Sequence, residues 1–178
     1  MVRKIIISCI AATSLIFFST QAFALLNFSV GVPLTQTFTE LDDTESDGVS
    51  GYFIQVGIPI LPGIGMDNIE TKIKDSSTNE KIVTTMYNLY YLLPIPVINL
   101  TLGAGVGSTE NQCDNCSSIW EKGGASQVYA SLGFPIIPLF DLHLSYRSIT
   151  TKVKGKSSST EEVDLSGNVM GIGIMFNF

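Results

Sequence analysis

Two side chains of a type used in hydrolysis lie two residues apart in the second half of the chain. His143 is the only histidine, and Ser145 follows it at a spacing that puts both on the same face of an extended strand. A serine becomes nucleophilic when an adjacent base accepts its proton and an acid orients that base. Glu161 or Glu162 is the candidate acid. The pattern makes His143 and Ser145 candidates for a catalytic pair, against the alternative of two polar side chains in a hydrogen-bonded interior.

The cysteines offer a second kind of chemistry. Cys113 and Cys116 form the motif Cys-Asp-Asn-Cys beside Trp120 in a long polar stretch. Exported chains meet an oxidising compartment, so a local disulfide is the expected state. A redox or metal role would require a lowered thiol pKa or further ligands, and no His or Cys is near.

An acidic segment resembles the start of a calcium-binding loop. Asp43, Glu45 and Asp47 alternate, and Gly48 holds the sixth position. The twelfth position, where such loops have a bidentate glutamate, is Ile54. These carboxylates are therefore weak metal candidates, and no cofactor is expected.

Composition limits the class of protein. The 178 residues are 45% hydrophobic but only 15% charged, with mean hydropathy +0.33 and formal net charge −6. Soluble domains usually carry about a quarter charged residues, so the composition favours contact with a membrane. The negative charge and scattered lysines argue against nucleic acid as a partner, since its binding needs clustered cations.

Residues 1–24 have the form of a cleavable secretory signal peptide. Arg3 and Lys4 precede an apolar run at 5–18, and Ala22-Phe23-Ala24 predicts cleavage after Ala24. Fourteen apolar residues are too few to span a bilayer core of roughly 30 Å as an anchor. A lipoprotein site at Cys9 would leave too short an export signal. Residues 25–178 form the predicted single domain, with 10 − 2 = 8 cationic and 16 anionic side chains, a net charge of 8 − 16 = −8.

Apolar and small polar residues alternate along this domain, as in strands with one apolar face. Eight such segments occur, beginning near Leu26, Tyr52, Asp67, Ile82, Asn99, Gln127, Phe140 and Met170. Their connections are alternately long and short. The short ones share the pattern IPILP at 58–62, LPIP at 93–96 and FPIIP at 134–138, so the repeating unit is a hairpin of about 40 residues.

The direction of the apolar face separates two kinds of barrel. A soluble barrel would turn this face inward, whereas a transmembrane barrel turns it toward lipid. Gly, Ser, Thr and Asn dominate the other face, which suits a narrow interior. Aromatics gather near the strand ends in two groups: Phe28, Tyr91, Phe134, Phe140, Phe176 and Phe178 by the short turns, and Phe38, Tyr52 and Tyr146 toward the long connections. We therefore expect an all-β, eight-stranded antiparallel up-and-down transmembrane β-barrel.

This orientation predicts a charged interior. Alternation places Glu70, Lys72, Lys74, Asp141, His143 and Arg147 on the inward face. Unpaired charge in a narrow lumen is costly, so we expect ion pairs and hydrogen bonds among them. An eight-stranded interior holds side chains rather than a stream of solute, which argues against a general diffusion porin.

The whole domain resembles the small eight-stranded outer-membrane barrels of Gram-negative bacteria, of the OmpA/OmpX type. Its last residues, with Gly173, Phe176 and Phe178, are similar to the signal that the barrel-assembly machinery recognises, although Gly171 stands where a polar residue is usual. The resemblance implies a monomer in the cell outer membrane. Implied partners are lipid and lipopolysaccharide, the assembly machinery during biogenesis, and a surface ligand through the long loops.

Fold does not imply function. The favoured prediction is a structural or surface-interaction role through four extracellular loops, without enzymatic activity. His143 and Ser145 also resemble the pair of the outer-membrane lipid A 3-O-deacylases, which leaves a lipid A hydrolase as an alternative. That family's pair faces lipid and is followed by Asn, whereas this pair is predicted to face the lumen and is followed by Tyr146. A binder or conduit for small hydrophobic molecules is a further alternative.

Overall fold

The computed structural model describes residues 25–39, 46–73, 80–95, 98–112, 120–137, 139–156 and 162–178. The predicted signal peptide, residues 1–24, lies outside them. The strands are β1 (Asn27–Phe38), β2 (Ser46–Gly57), β3 (Gly63–Ile73), β4 (Lys81–Ile95), β5 (Ile98–Gln112), β6 (Gly123–Ile137), β7 (Phe140–Lys154), β8 (Glu162–Asp164) and β9 (Gly167–Asn177). Within the described residues, no helix has the length and apolarity needed to cross a membrane.

The strands close into one antiparallel barrel. Each of β1 to β7 pairs with its neighbour in the chain, and β9 pairs with both β7 and β1. The three-residue β8 adds to the end of β7 just before β9 begins, so eight strands surround the axis. The predicted all-β, eight-stranded up-and-down fold is confirmed. We call the end with the long connections the loop end, and the end with the short turns, Leu25 and Phe178 the turn end.

Closure requires the strands to tilt. One row of paired residues runs once around the sheet, through Phe28, Val56, Ile64, Leu89, Ala104, Val128, Ser148, Asn168 and Thr37. The row starts on β1 at residue 28 and returns to β1 at residue 37, nine residues further along. Strands staggered in this way incline strongly to the barrel axis. Residues close to one another inside the barrel therefore come from widely separated positions in the sequence.

The apolar face points outward. Leu102, Leu132 and Leu144 are 40 to 45% exposed, although they lie within paired strands. The intervening polar residues Thr101, Ser131 and His143 are buried. The orientation expected for a transmembrane barrel is therefore the one observed.

The predicted inward face of β3 was wrong. Ile69 and Thr71 are fully buried inside the barrel, whereas Glu70 and Lys72 point outward. The strand begins at Gly63, within the segment interpreted as a turn, and its register with β2 and β4 sets the inward face. Ile69 is held inside because it packs on Phe53, Ile149 and Val169, and this long-range packing outweighs local alternation. Lys74 lies outside the described residues.

Phe38 also faces inward, contrary to its predicted place among the outward aromatics. The register of β1 against β9 shifts between Pro33 and Thr35, which marks a β-bulge. An extra residue in a strand reverses the face of every residue that follows. Phe38 then packs against the buried cluster Ile82, Val153 and Leu165.

Two tyrosines pack over glycines of neighbouring strands. A Cβ atom added to Gly103 would lie 2.3 Å from ring carbons of Tyr129, and one added to Gly63 would lie 2.3 Å from the ring of Tyr90. Both rings lie flat against bare backbone in the narrow interior. Gly103 is required here because any side chain would occupy the space of the ring.

We predict that Gly103→Ala lowers the free energy of unfolding by about 1–3 kcal/mol, since the Tyr129 ring must move. The measurement is urea unfolding of the refolded barrel in detergent micelles. Gly124→Ala is the matched control, because a Cβ atom there meets nothing within 4 Å. Equal stability of the two variants would contradict the packing described.

Candidate functional site

A buried ion pair spans the centre of the lumen. The Nε atom of Arg147 on β7 lies 3.1 Å from Oδ2 of Asp67 on β3, and Nη2 lies 3.5 Å from Oδ1. Arg147 is 2% exposed and Asp67 is fully buried. β3 and β7 lie on different sides of the barrel, so this contact fills its cross-section.

Aromatic rings enclose the guanidinium group. Its carbon lies 3.7 Å from the centroid of the Phe53 ring and 4.6 Å from that of Tyr129. A cation over an aromatic face is stabilised by the ring quadrupole, most strongly when water is excluded. The two rings therefore partly compensate for the hydration that the guanidinium group of Arg147 loses on burial.

Amide side chains extend the ion pair into a network. Nε2 of Gln127 donates to Oδ2 of Asp67 at 2.6 Å and to Oδ1 of Asn88 at 2.5 Å. Nε2 of Gln55 donates to the Tyr129 hydroxyl at 2.7 Å. The network is only partly satisfied, because Nη1 of Arg147, Oε1 of Gln127 and Nδ2 of Asn88 are buried without a hydrogen-bond partner among the described residues.

Sequence reasoning found Arg147 but missed its partner, Asp67. The segment before Asp67 was interpreted as a Pro-Gly turn. The alternation just before Asp67 could have placed it inside. Ile64 and Met66 are apolar and face outward, so residue 67 falls on the inward face.

His143 and Ser145 both lie inside the barrel but do not form a nucleophile and base. The Nδ1 atom of His143 lies 3.1 Å from Oγ of Ser131, whereas the Ser145 hydroxyl donates to the backbone carbonyl of Gly171 at 3.3 Å. Both side chains are buried, away from the outward face. The geometry does not support hydrolysis of an outer lipid.

The candidate acids are equally misplaced for that chemistry. Glu162 pairs with Lys154 at the loop end, eleven residues along β7 from His143, a separation of roughly 35 Å. Glu161 lies outside the described residues. Neither the predicted base nor the predicted serine thus has Glu162 as an orienting partner.

The turn end of the lumen is polar. Asp141 accepts hydrogen bonds from Nδ2 of Asn99 at 2.5 Å and from Nδ2 of Asn177 at 2.9 Å, and the Tyr90 hydroxyl donates to Oδ1 of Asn27. Asp141 and His143 are thus inside, as predicted. Toward the loop end the interior also has an apolar cluster, in which Phe38, Ile73 and Trp120 pack on Ile82, Val153 and Leu165.

Glu70 and Lys72 are not members of the lumen network. Glu70 lies 3.9 Å from Lys81 on the outer surface, with both side chains about two-fifths exposed, and Lys72 is exposed. Toward the loop end, β3 directs Ile69 inward, so its charged residues Glu70 and Lys72 face outward.

Further ion pairs follow the same rim: Lys122 with Glu110 at 3.5 Å, Lys152 with Asp164 at 3.6 Å, and Lys154 with Glu162 at 3.0 Å. A hydrogen bond from Lys154 holds the pKa of Glu162 below its ordinary value, and the same bond raises the pKa of Lys154. Hydrogen bonds from Ser166 lower the pKa of Asp164. The rim therefore carries both signs of charge at neutral pH.

The remaining predicted site residues are exposed or lie outside the described residues. Asp47 is exposed on β2, whereas Asp43, Glu45, Cys113 and Cys116 are outside the described ranges. In the part of the chain that the structure describes, no three His, Cys, Asp or Glu side chains are grouped as metal ligands.

The C-terminal residues form an aromatic cluster at the turn end. The ring of Phe176 meets that of Phe140 edge-on, with centroids 4.9 Å apart, and lies 6.4 Å from Phe28 and 6.3 Å from Phe178. Gly173 lies opposite Gly31 on β1. This cluster covers the seam where β9 joins β7 and β1.

No protein-family model matches the sequence, and comparison with curated proteins finds no relative. Solved structures are similar in fold. Neisserial surface protein A matches with a TM-score of 0.62 at 16% identity, over 86% of this chain and 96% of that one. The N-terminal β-barrel domain of Pseudomonas aeruginosa OprF matches at 0.51 and 11% identity, over 85% and 97%.

E. coli outer membrane protein W also matches at 0.51, with 11% identity, over 87% of this chain and 98% of that one. At these identities the likeness concerns the fold rather than the activity. The chain has the closed eight-stranded β-barrel fold of small bacterial outer-membrane proteins.

Proposed function

We propose that this protein is an integral barrel of the bacterial outer membrane with a structural or surface-interaction role. In this proposal the barrel is a rigid support for the four long connections at its loop end. It conducts no solute and catalyses no reaction. The observation that carries the proposal is the combination of an apolar outer surface with a filled interior.

The outer surface supports placement in lipid. Large apolar side chains lie exposed around the whole barrel, among them Val30, Ile54, Leu89, Val128 and Ile174. A soluble protein rarely exposes so continuous an apolar surface. Because the sheet is closed, no strand edge leaves unpaired N–H and C=O groups facing the hydrocarbon.

The distribution of lysines supports one direction across that membrane. Every described lysine lies toward the loop end, as Lys72, Lys81, Lys122, Lys152, Lys154 and Lys156. Lipopolysaccharide carries phosphate groups that attract such cations. The loop end is therefore proposed to face the cell exterior, with lipid and lipopolysaccharide as its partners in the membrane.

The filled interior argues against transport. The Asp67–Arg147 pair and the rings of Phe53 and Tyr129 around it fill one level of the lumen, and the cluster of Ile82, Val153 and Leu165 fills another toward the loop end. An eight-stranded barrel has little room beyond such side chains. A conduit for hydrophobic molecules would need an open path that these levels do not offer.

Biogenesis follows from the same proposal. The strands follow one another as hairpins, so β1 and β9, at the two ends of the domain, are proposed to pair last when the barrel closes. Phe176, Phe178 and Gly173 lie on that seam, which supports their proposed role as an assembly signal. The barrel-assembly machinery is the proposed partner at this step, and the folded barrel is proposed to be a monomer.

The direct test of orientation is accessibility on intact cells. We expect an epitope tag inserted between Ser158 and Ser159, in a long connection, to bind antibody without permeabilisation. A tag inserted between Pro96 and Val97, in a short turn, should bind only after the outer membrane is permeabilised. The reverse pattern, or equal access for both tags, would contradict the proposed orientation.

Planar-bilayer recording tests the filled lumen. We expect the purified, refolded barrel to insert without discrete conductance steps, because no continuous water path crosses the Arg147 level. A porin inserted in the same bilayer shows that the assay detects channels. Reproducible single-channel steps from this protein would contradict the proposal.

The central ion pair should couple strongly in a double-mutant cycle. We expect Asp67→Asn or Arg147→Gln alone to lower the free energy of unfolding by about 3–5 kcal/mol, because each leaves a buried group without its partner. The double variant should lose clearly less than the sum of the two. Urea unfolding in micelles measures all four proteins, and additive losses would show that the pair is not coupled.

A further inference from the structure

The turn end of the barrel has an apolar surface that the proposed role does not use. Ile60, in the turn that joins β2 to β3, and Ile136, near the turn end of β6, are 78% and 66% exposed. Other exposed apolar residues surround them: Leu25, Ile58, Leu61, Ile95, Ile137, Leu139 and Phe178. Water-facing turns of a membrane barrel are expected to be polar, so these side chains need a different environment.

This end also lacks outward charge. The described residues of 25–34, 52–66, 87–95, 98–106, 128–146 and 170–178 include one carboxylate, Asp141, and one imidazole, His143. Both are buried inside the lumen. Among the described residues, the outside of the turn end therefore has no charged side chain, whereas the loop end has ion pairs on its rim.

The turns are built to expose few backbone donors. Pro59 and Pro62 lie in or beside the turn between β2 and β3, and Pro94 and Pro135 lie near the turn ends of β4 and β6. Proline has no N–H group, and the Leu61 N–H donates to the carbonyl of Ile58 at 3.1 Å. An unsatisfied N–H costs several kcal/mol in hydrocarbon, so such turns tolerate lipid better than ordinary turns do.

The apolar band is too short without the turns. On β6 the outward apolar residues run from Val128 to Phe134, a separation of six positions that rises roughly 15 Å for strands tilted by about 40°. Adding Ile136 extends the band to roughly 20 Å, still not above the ~25 Å typical of such barrels. Polar residues begin directly above, at Ser126.

β3 repeats this limit on another side of the barrel. The outward apolar residues of β3 are only Ile64 and Met66. The next outward residue toward the loop end is the polar Asn68, whose Nδ2 donates to the Thr85 hydroxyl at 3.2 Å. The hydrophobic span there must continue downward through Leu61 and Ile60. Both strands thus require their turns to complete the span.

We propose that the apolar side chains at the turn end, Ile58, Ile60, Leu61, Ile95, Ile136, Ile137 and Leu139, lie within the acyl chains of the periplasmic leaflet. This inference rests on the proposed outer-membrane placement and specifies its depth. The occupant of the apolar turn end is lipid, because its surface is continuous with the lipid-facing belt through Ile58, Phe134 and Phe178. The barrel then presents no broad water-facing surface to soluble partners in the periplasm.

The backbone at Ile60 agrees with this placement. Its φ of 77° lies in the left-handed region, which Gly and Asn adopt readily and a β-branched residue does not. Ile60 thus has a large apolar side chain at a position whose backbone conformation favours Gly or Asn. Contact with acyl chains provides a physical reason for that choice.

Depth-dependent fluorescence quenching tests the proposal. In a Trp120→Phe background, which removes the only tryptophan, single tryptophans are placed by Ile60→Trp and Ile136→Trp at the turns. Leu132→Trp marks the middle of the belt, and Lys122→Trp marks the loop-end rim. Each mature chain is refolded into phosphatidylcholine vesicles with or without brominated acyl chains, and iodide is present on both sides.

We expect brominated lipid to quench the two turn tryptophans, most strongly when bromine is near the headgroup. Iodide should quench them several-fold less than the tryptophan at 122. Strong iodide quenching at both turns, with Leu132→Trp still quenched by lipid, would overturn the proposal and leave the membrane barrel intact. Protection from both quenchers would also overturn it, since protein would then cover the turns. Absence of lipid quenching at 132 would instead refute the membrane placement.

Discussion

Pairing of every strand edge is the constraint on which this structure depends. A sheet that faces hydrocarbon cannot leave backbone N–H and C=O groups unpaired, and β9 satisfies this by bonding to both β7 and β1. Closure with eight strands then forces the tilt seen in the nine-residue advance around the sheet. It also leaves an interior only as wide as opposed side chains, so the contents of the lumen follow from the closure.

The narrow interior explains why charge is found where it is. Arg147 is tolerated because Asp67 pairs with it, Gln127 shares the carboxylate, and two rings cover its faces. Buried pairs of this kind contribute little net stability relative to apolar packing, but they are costly to break. The pair therefore favours strand registers that bring β3 and β7 to the same level over registers that would separate the charges.

The two ends of the barrel differ in the solvent to which they are suited. The loop end combines lysines and carboxylates in ion pairs, which suits a boundary with anionic headgroups and water. The turn end combines proline-rich turns with exposed isoleucines and leucines. This asymmetry arises from the residues at the two ends of the strands as well as from the connections, since Glu70, Lys81, Glu110 and Lys152 all lie within strands.

Alternation by itself determined the strand number, the hairpin order and the outward direction of residues such as Leu102 and Leu144, because a period of two assigns each residue to one face. It also placed Asp141, His143 and Arg147 inside. It could not determine the inward face of β3 or the reversal at Phe38, since one bulge and one strand start shift the phase. Nor could it pair Arg147 with Asp67, or His143 with Ser131. Asp67 and Arg147 lie on non-adjacent strands that only the stagger of the closed sheet brings to the same level, and the contact of His143 with Ser131 depends on the register of the β6–β7 pair.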